Sequence, residues 1–347
     1  MRAFLRSLLL FAVLPAAVFA WSLWRADGET DEYYLRFTTP PAASMILGTS
    51  RSAQGLRPQV IDSVLRARGH SGKVFNYSFA LGISNYGPAY LRSIGRKLDP
   101  SARDGVFVLA VDPWSLGARA GESDAKGWPE DERFLGRLLL VSMKPNAEYL
   151  LTAYQKPFLT IAWPRAKRQQ RTMRVHPDGW LEVRLPMDSA SVAKRERDKL
   201  REYRAQHAPG LSVSEARIGW LERTIALLRP HGRVLLVRMP VGAGMLALED
   251  SLAPGFSSRM EAVARAGDAR FLDLTLHPGP WRFTDGNHLE PGSAAEASRL
   301  VAEARANARA AGVDRLVRFR EQDLFDADFR EATVVTLYLL PELNARL

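Results

Sequence analysis

Short apolar runs alternate with amphipathic stretches along most of the chain. Five of these runs have the length and composition of buried strands, namely 44–47, 73–77, 105–111, 233–238 and 269–274. Amphipathic helices are predicted between them, because apolar residues recur there at helical spacing and glycines end the pattern. Strands that alternate with helices indicate an α/β fold, with a parallel sheet and helices on both of its faces.

The first apolar stretch differs from the others because it is long and lies at the N-terminus. About eighteen apolar residues, 7–24, follow Arg2 and Arg6 and precede an acidic segment at 27–32. This length is near the lower limit for crossing a bilayer, and the basic flank predicts a cytoplasmic N-terminus and an exported remainder. Two tryptophans at the end of the stretch favour an uncleaved anchor. A signal peptide cleaved after 18–20 is the alternative.

The alternation of strands and helices stops between 115 and 211. This stretch contains a leucine-rich segment predicted to be helical over 129–154, a turn at 176–180 between short strands, and a charged helix over 189–207. We interpret it as an insertion over the carboxyl edge of the sheet, where long loops line a site; a small separate domain is the alternative. The predicted organisation is an anchor at 1–26, a linker at 27–43, the α/β unit at 44–302 with its insertion at about 115–211, and a C-terminal segment at 303–347.

Composition narrows the possible chemistry. The 347 residues are 46% hydrophobic and 25% charged, as in a globular protein with one sizeable core or two modest ones. Because the chain has no cysteine, thiol catalysis, thiolate metal sites and disulfides are excluded. The net charge of +10 favours anionic surfaces, but no nucleic-acid-binding module accompanies it, so no nucleic-acid partner is predicted. His176 and His207 have no second ligand at metal spacing.

Two motifs at opposite ends of the α/β unit contain the candidate chemistry. Gly48-Thr49-Ser50 ends the first strand, which places Ser50 at a carboxyl strand end, where open α/β sheets bind ligands. Alone, this motif is also typical of an ordinary capped loop. Asp285 and His288 stand three residues apart before the last helix. Such a pair would supply what a serine nucleophile needs, a histidine to take its proton and a carboxylate to orient that histidine.

A serine after the first strand and a D-x-x-H motif before the last helix resemble the SGNH, or GDSL-like, hydrolase superfamily. The resemblance covers about 44–302, without the insertion, and implies a three-layer α/β/α flavodoxin-like domain. It implies that Ser50 is the nucleophile, His288 the general base and Asp285 its orienter. It also implies that the backbone amides of Ser50 and Gly82 are oxyanion donors, since Gly82 follows the second strand. No cofactor is predicted.

The third block of the chain departs from this superfamily's pattern. Relatives have G-x-N-D, whose Asn completes the oxyanion hole, whereas the third strand here ends in Asp112-Pro113-Trp114. The departure favours a membrane-anchored, extracytoplasmic branch whose relatives transfer acyl groups to cell-envelope polymers. Two substrate-binding residues are predicted. Arg51 would hold an anionic substrate group, or else is a solvated helix-start residue; Asp112 would hydrogen-bond in the site, or else caps the next segment.

The last stretch, 303–347, resembles the middle of a class I methyltransferase that uses S-adenosylmethionine. It contains Gln322-Asp323-Leu324-Phe325 before a predicted strand at 332–340, and Asp323 falls where an adenine-contacting acid would lie. The glycine-rich turn that should come one strand earlier is absent. We interpret the segment as a fusion scar or truncated remnant that does not transfer methyl groups alone.

Three functions follow from these patterns. The favoured one is an extracytoplasmic serine ester hydrolase or acyltransferase, held at the inner membrane by its N-terminal helix, that acts on a cell-envelope glycan or other acylated polymer. The second is a catalytically inactive scaffold of the same fold that binds an envelope polymer, which the missing third-block Asn favours. The third, a methyltransferase, is favoured only by the tail. Convergence of Ser50, Asp285 and His288 is the observation that bears on this choice most directly.

Overall fold

The computed structural model describes residues 1–26, 31–154 and 172–310. Its strands are, in chain order, β1 (Ser44–Leu47), β2 (Val74–Asn76), β3 (Gly105–Ala110), β4 (Gly117–Arg119), β5 (Met173–Val175), β6 (Leu181–Val183), β7 (Leu211–Val213), β8 (Gly232–Arg238) and β9 (Arg270–Asp273). Five of them form one parallel sheet in the order β2-β1-β3-β8-β9. These are the five strands predicted from the apolar runs, with ends that differ by a few residues.

Helices pack against both faces of this sheet. The helices of the described residues are α1 (Arg2–Arg25), α2 (Ser50–Gly55), α3 (Pro58–Arg66), α4 (Pro88–Lys97), α5 (Phe134–Arg137), α6 (Ala147–Thr152), α7 (Ser189–Glu202), α8 (Glu215–Leu228), α9 (Ala243–Leu252), α10 (Phe256–Ala266) and α11 (Pro291–Ala310). Side chains of α4, α8 and α10 belong to one core cluster, and those of α3 and α11 belong to another.

Alternation along the strands explains the two clusters. On β3, Phe107 and Leu109 belong to the first cluster, whereas Val106 and Val108 belong to the second. Successive side chains of a strand point to opposite faces, so a strand that is apolar at every position is buried on both sides. All six residues of β3 are buried, as the central position in the sheet requires.

The segment predicted to be a linker contributes to the core. Tyr34 and Phe37, in a 3-10 turn at Tyr34–Phe37, are almost fully buried, and Phe37 stacks on Tyr149 of α6 with ring centroids 5.0 Å apart. The Tyr149 hydroxyl donates to the Asp31 carboxylate at 2.9 Å. The aromatic side chains of this segment are therefore packed in the core, where their large apolar surface is removed from water.

The insertion is more broken than its leucines predict. The expected helix over 129–154 is divided into a 3-10 turn at Pro129–Glu132 and the short helices α5 and α6. Glu148 on α6 accepts hydrogen bonds from the backbone amides of Leu139 and Leu140, which keeps the intervening chain out of a helix. Asn146 caps α6 by accepting from Tyr149 N at 2.9 Å. The predicted turn at 176–180 joins β5 and β6 in an antiparallel hairpin, as expected.

Both ends of the chain bear on the predicted boundaries. The N-terminal helix α1 is long and apolar enough to cross a membrane, and its most apolar stretch of 18 residues is not buried against the rest of the protein. At the other end, α11 is continuous through the boundary predicted at 302/303. A change of sequence character therefore does not coincide with a break in structure there. The methyltransferase-like motif, including Asp323, lies outside the described residues.

Candidate active site

Ser50 is the first residue of α2, directly after the tight turn that follows β1. The turn begins at Gly48, with φ +137°, where a Cβ atom would lie 2.8 Å from the Cβ of Ala110 on β3. Only glycine satisfies both the backbone angle and this approach. The Gly48 amide donates to the Tyr90 hydroxyl at 3.0 Å, and its carbonyl accepts from Ser84 Oγ at 2.8 Å. Buried hydroxyl groups thus fix the turn that presents Ser50.

The three residues of the predicted triad converge. Ser50 Oγ lies 2.9 Å from His288 Nε2, and His288 Nδ1 lies 2.9 Å from Asp285 Oδ2. Asp285 Oδ1 also accepts from the backbone amides of Asn287 and His288, at 3.0 and 2.9 Å. An ionised carboxylate can only accept hydrogen bonds, so Nδ1 carries the proton of the neutral imidazole. The lone pair of Nε2 therefore faces the Ser50 hydroxyl.

The carboxylate of this triad is held in its charged form. Burial acts to raise the pKa of Asp285, but the charge and hydrogen bond of His288 and two backbone amides outweigh it and lower this pKa to about 2. Asp285 is consequently ionised at every pH at which the protein would work. It can orient the neutral imidazole and stabilise an imidazolium.

The depressed pKa of Asp285 predicts a specific acid dependence of stability. A carboxyl group that ionises more easily in the folded than in the unfolded chain stabilises the fold above its unfolded pKa, near 4, and that contribution is lost as the pH falls through about 2. We expect the difference in unfolding free energy between the wild type and Asp285→Asn to shrink by about 2 kcal/mol between pH 5 and pH 2. Urea unfolding across this range measures it, and a difference independent of pH would contradict the coupling.

The two predicted oxyanion donors differ in the structure. The Ser50 amide is at the first turn of α2, where a helix leaves its own N–H groups unsatisfied. The Gly82 amide, in contrast, donates to Asn85 Oδ1 at 2.7 Å, although Gly82 has the open surroundings and the positive φ expected of a glycine turn. The same Asn85 donates to the Trp114 carbonyl at 3.4 Å. Only the Ser50 donor is therefore unengaged in this geometry.

Arg51 and Asp112 lie beside the triad, but not as free substrate-binding groups. Arg51 is buried and its guanidinium lies 2.6 Å from a Glu249 carboxylate oxygen and 3.7 Å from Asp112 Oδ2. Because Arg51 is buried and paired with carboxylates, it is not a solvated helix-start residue, and its role with an anionic substrate group stays a prediction. Asp112 Oδ1 accepts from the Ser115 amide at 2.7 Å, which is the capping role weighed for it.

A buried ionic cluster supports this side of the site. Glu249, on α9, is fully buried and contacts Arg51, Arg238 at 3.2 Å and the indole N–H of Trp114 at 2.8 Å. Burial of a carboxylate is tolerated only where cations and donors surround it. The sequence offered one signal, an acidic residue among the apolar positions of 243–252, but α9 itself was not predicted.

Asn287 is a further residue that the sequence analysis did not select. It is 1% exposed and lies inside the D-x-x-H motif, adjacent to the predicted base. Its Oδ1 accepts from Arg51 Nε and Nη2 at 3.0 and 2.6 Å, and its Nδ2 lies 3.3 Å from the Tyr203 hydroxyl. Tyr203 comes from the end of the insertion and packs edge-on against Trp114, with centroids 4.7 Å apart. Nothing in the sequence links these positions, which only the fold brings together.

Residues of the segment interpreted as an insertion contact the loop that contains Asp285 and His288. Arg195 of α7 donates to the Thr284 carbonyl at 2.7 Å, and the Glu196 side chain lies against Gly286. Trp180, at the hairpin turn, donates through its indole N–H to the Gln54 carbonyl of α2 at 2.9 Å. Two segments of the insertion therefore contact the two segments that supply the serine and the histidine.

The two isolated histidines each lie close to a glutamate carboxylate. His176 Nε2 lies 2.9 Å from Glu182, and His207 Nε2 lies 3.6 Å from Glu202. Within 1–26, 31–154 and 172–310, no cluster of three or more potential metal ligands is present.

Comparison with known proteins adds no relative. No protein-family model matches the chain, and no curated protein sequence matches it significantly.

Proposed function

We propose that this protein is a serine ester hydrolase or acyltransferase of the SGNH type. The observation that carries the proposal is the contact of 2.9 Å between Ser50 Oγ and His288 Nε2, with Asp285 on the opposite ring nitrogen. A hydroxyl, an imidazole and a buried carboxylate in this order form a proton-transfer chain for nucleophilic catalysis. Its members come from opposite ends of the sheet-forming sequence.

The residues support a two-step acyl transfer. Ser50 Oγ would form a bond to the ester carbonyl carbon, its proton would pass to His288 Nε2, and the carbonyl electron pair would move onto oxygen near the Ser50 amide. Nε2 would then return the proton to the alcohol oxygen as the bond from carbon to that oxygen breaks. An acceptor hydroxyl, from water or from a second alcohol, would reverse these steps and release the acyl group from Ser50.

The sheet order supports placing the site here. When the five strands of the parallel sheet are numbered in chain order, their spatial order is 2-1-3-4-5, which matches a flavodoxin-like sheet. In such sheets the strand order reverses between the first and third strands. Ligands bind outside the carboxyl ends of the strands at that reversal. Ser50 follows β1 and Asp112 follows β3, so the two candidate residues flank this point.

The N-terminal helix supports an extracytoplasmic setting. Arg2 and Arg6 precede the apolar residues of α1, and lysine and arginine favour the cytoplasmic side. The α/β unit would then lie outside the cytoplasm, next to the inner membrane. Its proposed substrate class is an acylated glycan or similar polymer of the cell envelope.

The absence of cysteine allows a direct test of this orientation. In cells stripped of their outer barrier, we expect Leu276→Cys, at an exposed position, to react with a membrane-impermeant maleimide before lysis. Ala3→Cys, at the N-terminal end of α1, is the matched variant and is expected to react only after the membrane has been permeabilised. The reverse labelling pattern would contradict an exported α/β unit.

One observation favours a second function, a polymer-binding scaffold without activity. The Gly82 amide is occupied by Asn85, and the third block has no Asn donor, so two of the expected oxyanion donors are not offered. Loss of one such donor typically slows catalysis by about 10²–10³. A scaffold would need the fold and the surface of the site, but not a reactive serine.

Covalent labelling separates the two functions. We expect the wild-type chain to react with a fluorophosphonate, whose phosphorus is attacked by Ser50 Oγ with loss of fluoride, and Ser50→Ala to abolish labelling. Ser251→Ala, at an exposed position of α9, is the matched control and should label like the wild type. A folded wild-type protein that does not label, or equal labelling of Ser50→Ala, would reject the serine enzyme and leave the scaffold.

A further inference from the structure

The orientation of the Asn287 side chain is determined by its partners. Arg51 places two N–H groups on one atom of the amide, and a guanidinium can only donate hydrogen bonds. That atom must therefore be the oxygen, Oδ1, and the NH2 group must point the other way. Arg51 is in turn fixed by Glu249, at 2.6 Å, so the amide cannot turn without breaking a buried ion pair.

The NH2 group of Asn287 points at the reacting atoms. One of its N–H bonds is directed at the Tyr203 hydroxyl, 3.3 Å away, and the other at His288 Nε2, also 3.3 Å away. Nε2 is the same atom that accepts from Ser50 Oγ at 2.9 Å. In the resting site, the lone pair of Nε2 is thus shared by two donors, Ser50 and Asn287.

We propose that Asn287 is a catalytic residue that donates a hydrogen bond to the alcohol oxygen of the ester, and to the acceptor oxygen in the reverse step. The proposal rests on the serine-ester function proposed above.

Proton transfer explains why this donor would act in the transition state. Once Nε2 has taken the Ser50 proton it has no lone pair left, so the Asn287 N–H loses its acceptor at that step. The alcohol oxygen is the acceptor that replaces Nε2, because negative charge develops on this oxygen in the next step, as its bond to the carbonyl carbon breaks. An interaction formed only as charge develops lowers the barrier without tightening ground-state binding.

Geometry assigns the alcohol oxygen as that acceptor. The oxygen that receives the proton from Nε2 must come within about 2.6–3.2 Å of it. Asn287 Nδ2 is 3.3 Å from Nε2, so one oxygen placed between the two nitrogens can be within hydrogen-bond distance of both. In acylation this oxygen leaves with the proton from Nε2; in deacylation the acceptor hydroxyl gives its proton to Nε2 and attacks the acyl carbon. No further reactant is needed.

The dependence of rate on the leaving group tests the proposal. We would measure kcat/KM of the full chain for 4-nitrophenyl, phenyl and ethyl acetate, because this constant reports acylation. Nitrophenolate leaves without help, so Asn287→Ala should slow its ester by less than about tenfold, whereas the ethyl ester should slow by about 10²–10³. Asn287→Asp keeps an acceptor for Arg51 and the shape of the side chain, and offers no donor when ionised. It is therefore the second variant should Asn287→Ala fail to fold.

Two further results make the outcome decisive. Tyr203→Phe removes the partner of the other N–H and should slow all three esters by the same factor, since it does not alter the donor that faces Nε2. Equal slowing of the three esters in both Asn287 variants would show a structural role and overturn the proposal. Fluorophosphonate labelling of the wild type distinguishes failure of the Asn287 role from failure of the proposed function. If the wild type is labelled and the three esters slow equally, only the Asn287 role is rejected. If the wild type is not labelled, the serine enzyme itself is rejected.

Discussion

Replacing His288 with alanine is expected to lower the rate of ester turnover by at least about 10⁴-fold. The reason is that Nε2, 2.9 Å from Ser50 Oγ, is the proposed base for the proposed nucleophile, and a serine hydroxyl at neutral pH reacts poorly without a base. The His288 side chain is 11% exposed, so we expect the space left by alanine to be reached by small molecules from solvent. Added imidazole should therefore restore part of the activity of His288→Ala.

The controls for this prediction come from the same sheet. His231→Ala is a matched substitution, because His231 lies in the turn before β8, at the amino edge of the sheet away from Ser50. We expect its rate to equal that of the wild type. Asp285→Asn should cost about 10²–10⁴, since its oxygen can still accept from the loop amides, while its NH2 group favours the wrong tautomer of His288. A His288→Ala rate near that of the wild type would remove His288 from the mechanism.

Glu249→Gln is expected to destabilise the fold by about 3 kcal/mol. Glu249 is fully buried between Arg51 and Arg238, and an isosteric amide removes only its charge. The buried guanidinium groups of Arg51 and Arg238 would then lose the carboxylate with which both of them pair. The expected cost is at the low end for a broken buried pair because Asp112 remains near Arg51, and Asp250 and Asp273 remain near Arg238. Equilibrium unfolding in urea gives the difference directly.

An exposed ion pair provides the comparison for Glu249. Glu215→Gln removes a carboxylate that pairs with Arg259 on the surface, and we expect a change within about 0.5 kcal/mol. The Glu249 variant should also lose activity beyond its loss of stability, since Arg51 holds the Asn287 amide. If both variants lost equally little stability, the buried cluster would not be a structural support of the site.

The parts of the fold that the sequence predicted are those with a local cause. β3 is apolar at all six positions because it is central, and a run of that kind is visible without any neighbours. Ser50 and His288 were selected because each motif has its own chemistry: a glycine turn after a strand, and an acid three residues before a histidine. The distance of 2.9 Å between Ser50 Oγ and His288 Nε2 shows that the fold brings these two motifs together.

The parts that were not predicted depend on distant partners. Arg51 is polar and follows a turn, as solvated residues do, but Glu249, almost two hundred positions away, buries it by balancing its charge. Tyr34 and Phe37 stand in a polar flank, and only the arrival of Tyr149 makes them core residues. Asn287 was passed over because amides carry no charge, and its orientation follows from Arg51. In each case the interaction that determines the environment of the residue is tertiary, and such an interaction cannot be predicted from local hydrophobic periodicity.

The distance in sequence between Ser50 and His288, 238 positions, also orders events in time. A chain that is synthesised from its N-terminus contains Ser50, the proposed nucleophile, long before it contains His288, the proposed base. Contacts of such long range form late, since the entropy of closing the intervening chain must be overcome first. The hydroxyl consequently remains inert until β9 has joined the sheet edge and the loop after it has folded back. Under the proposed function, a chain that ends before His288 has no activity, and activity therefore indicates that the α/β unit is complete.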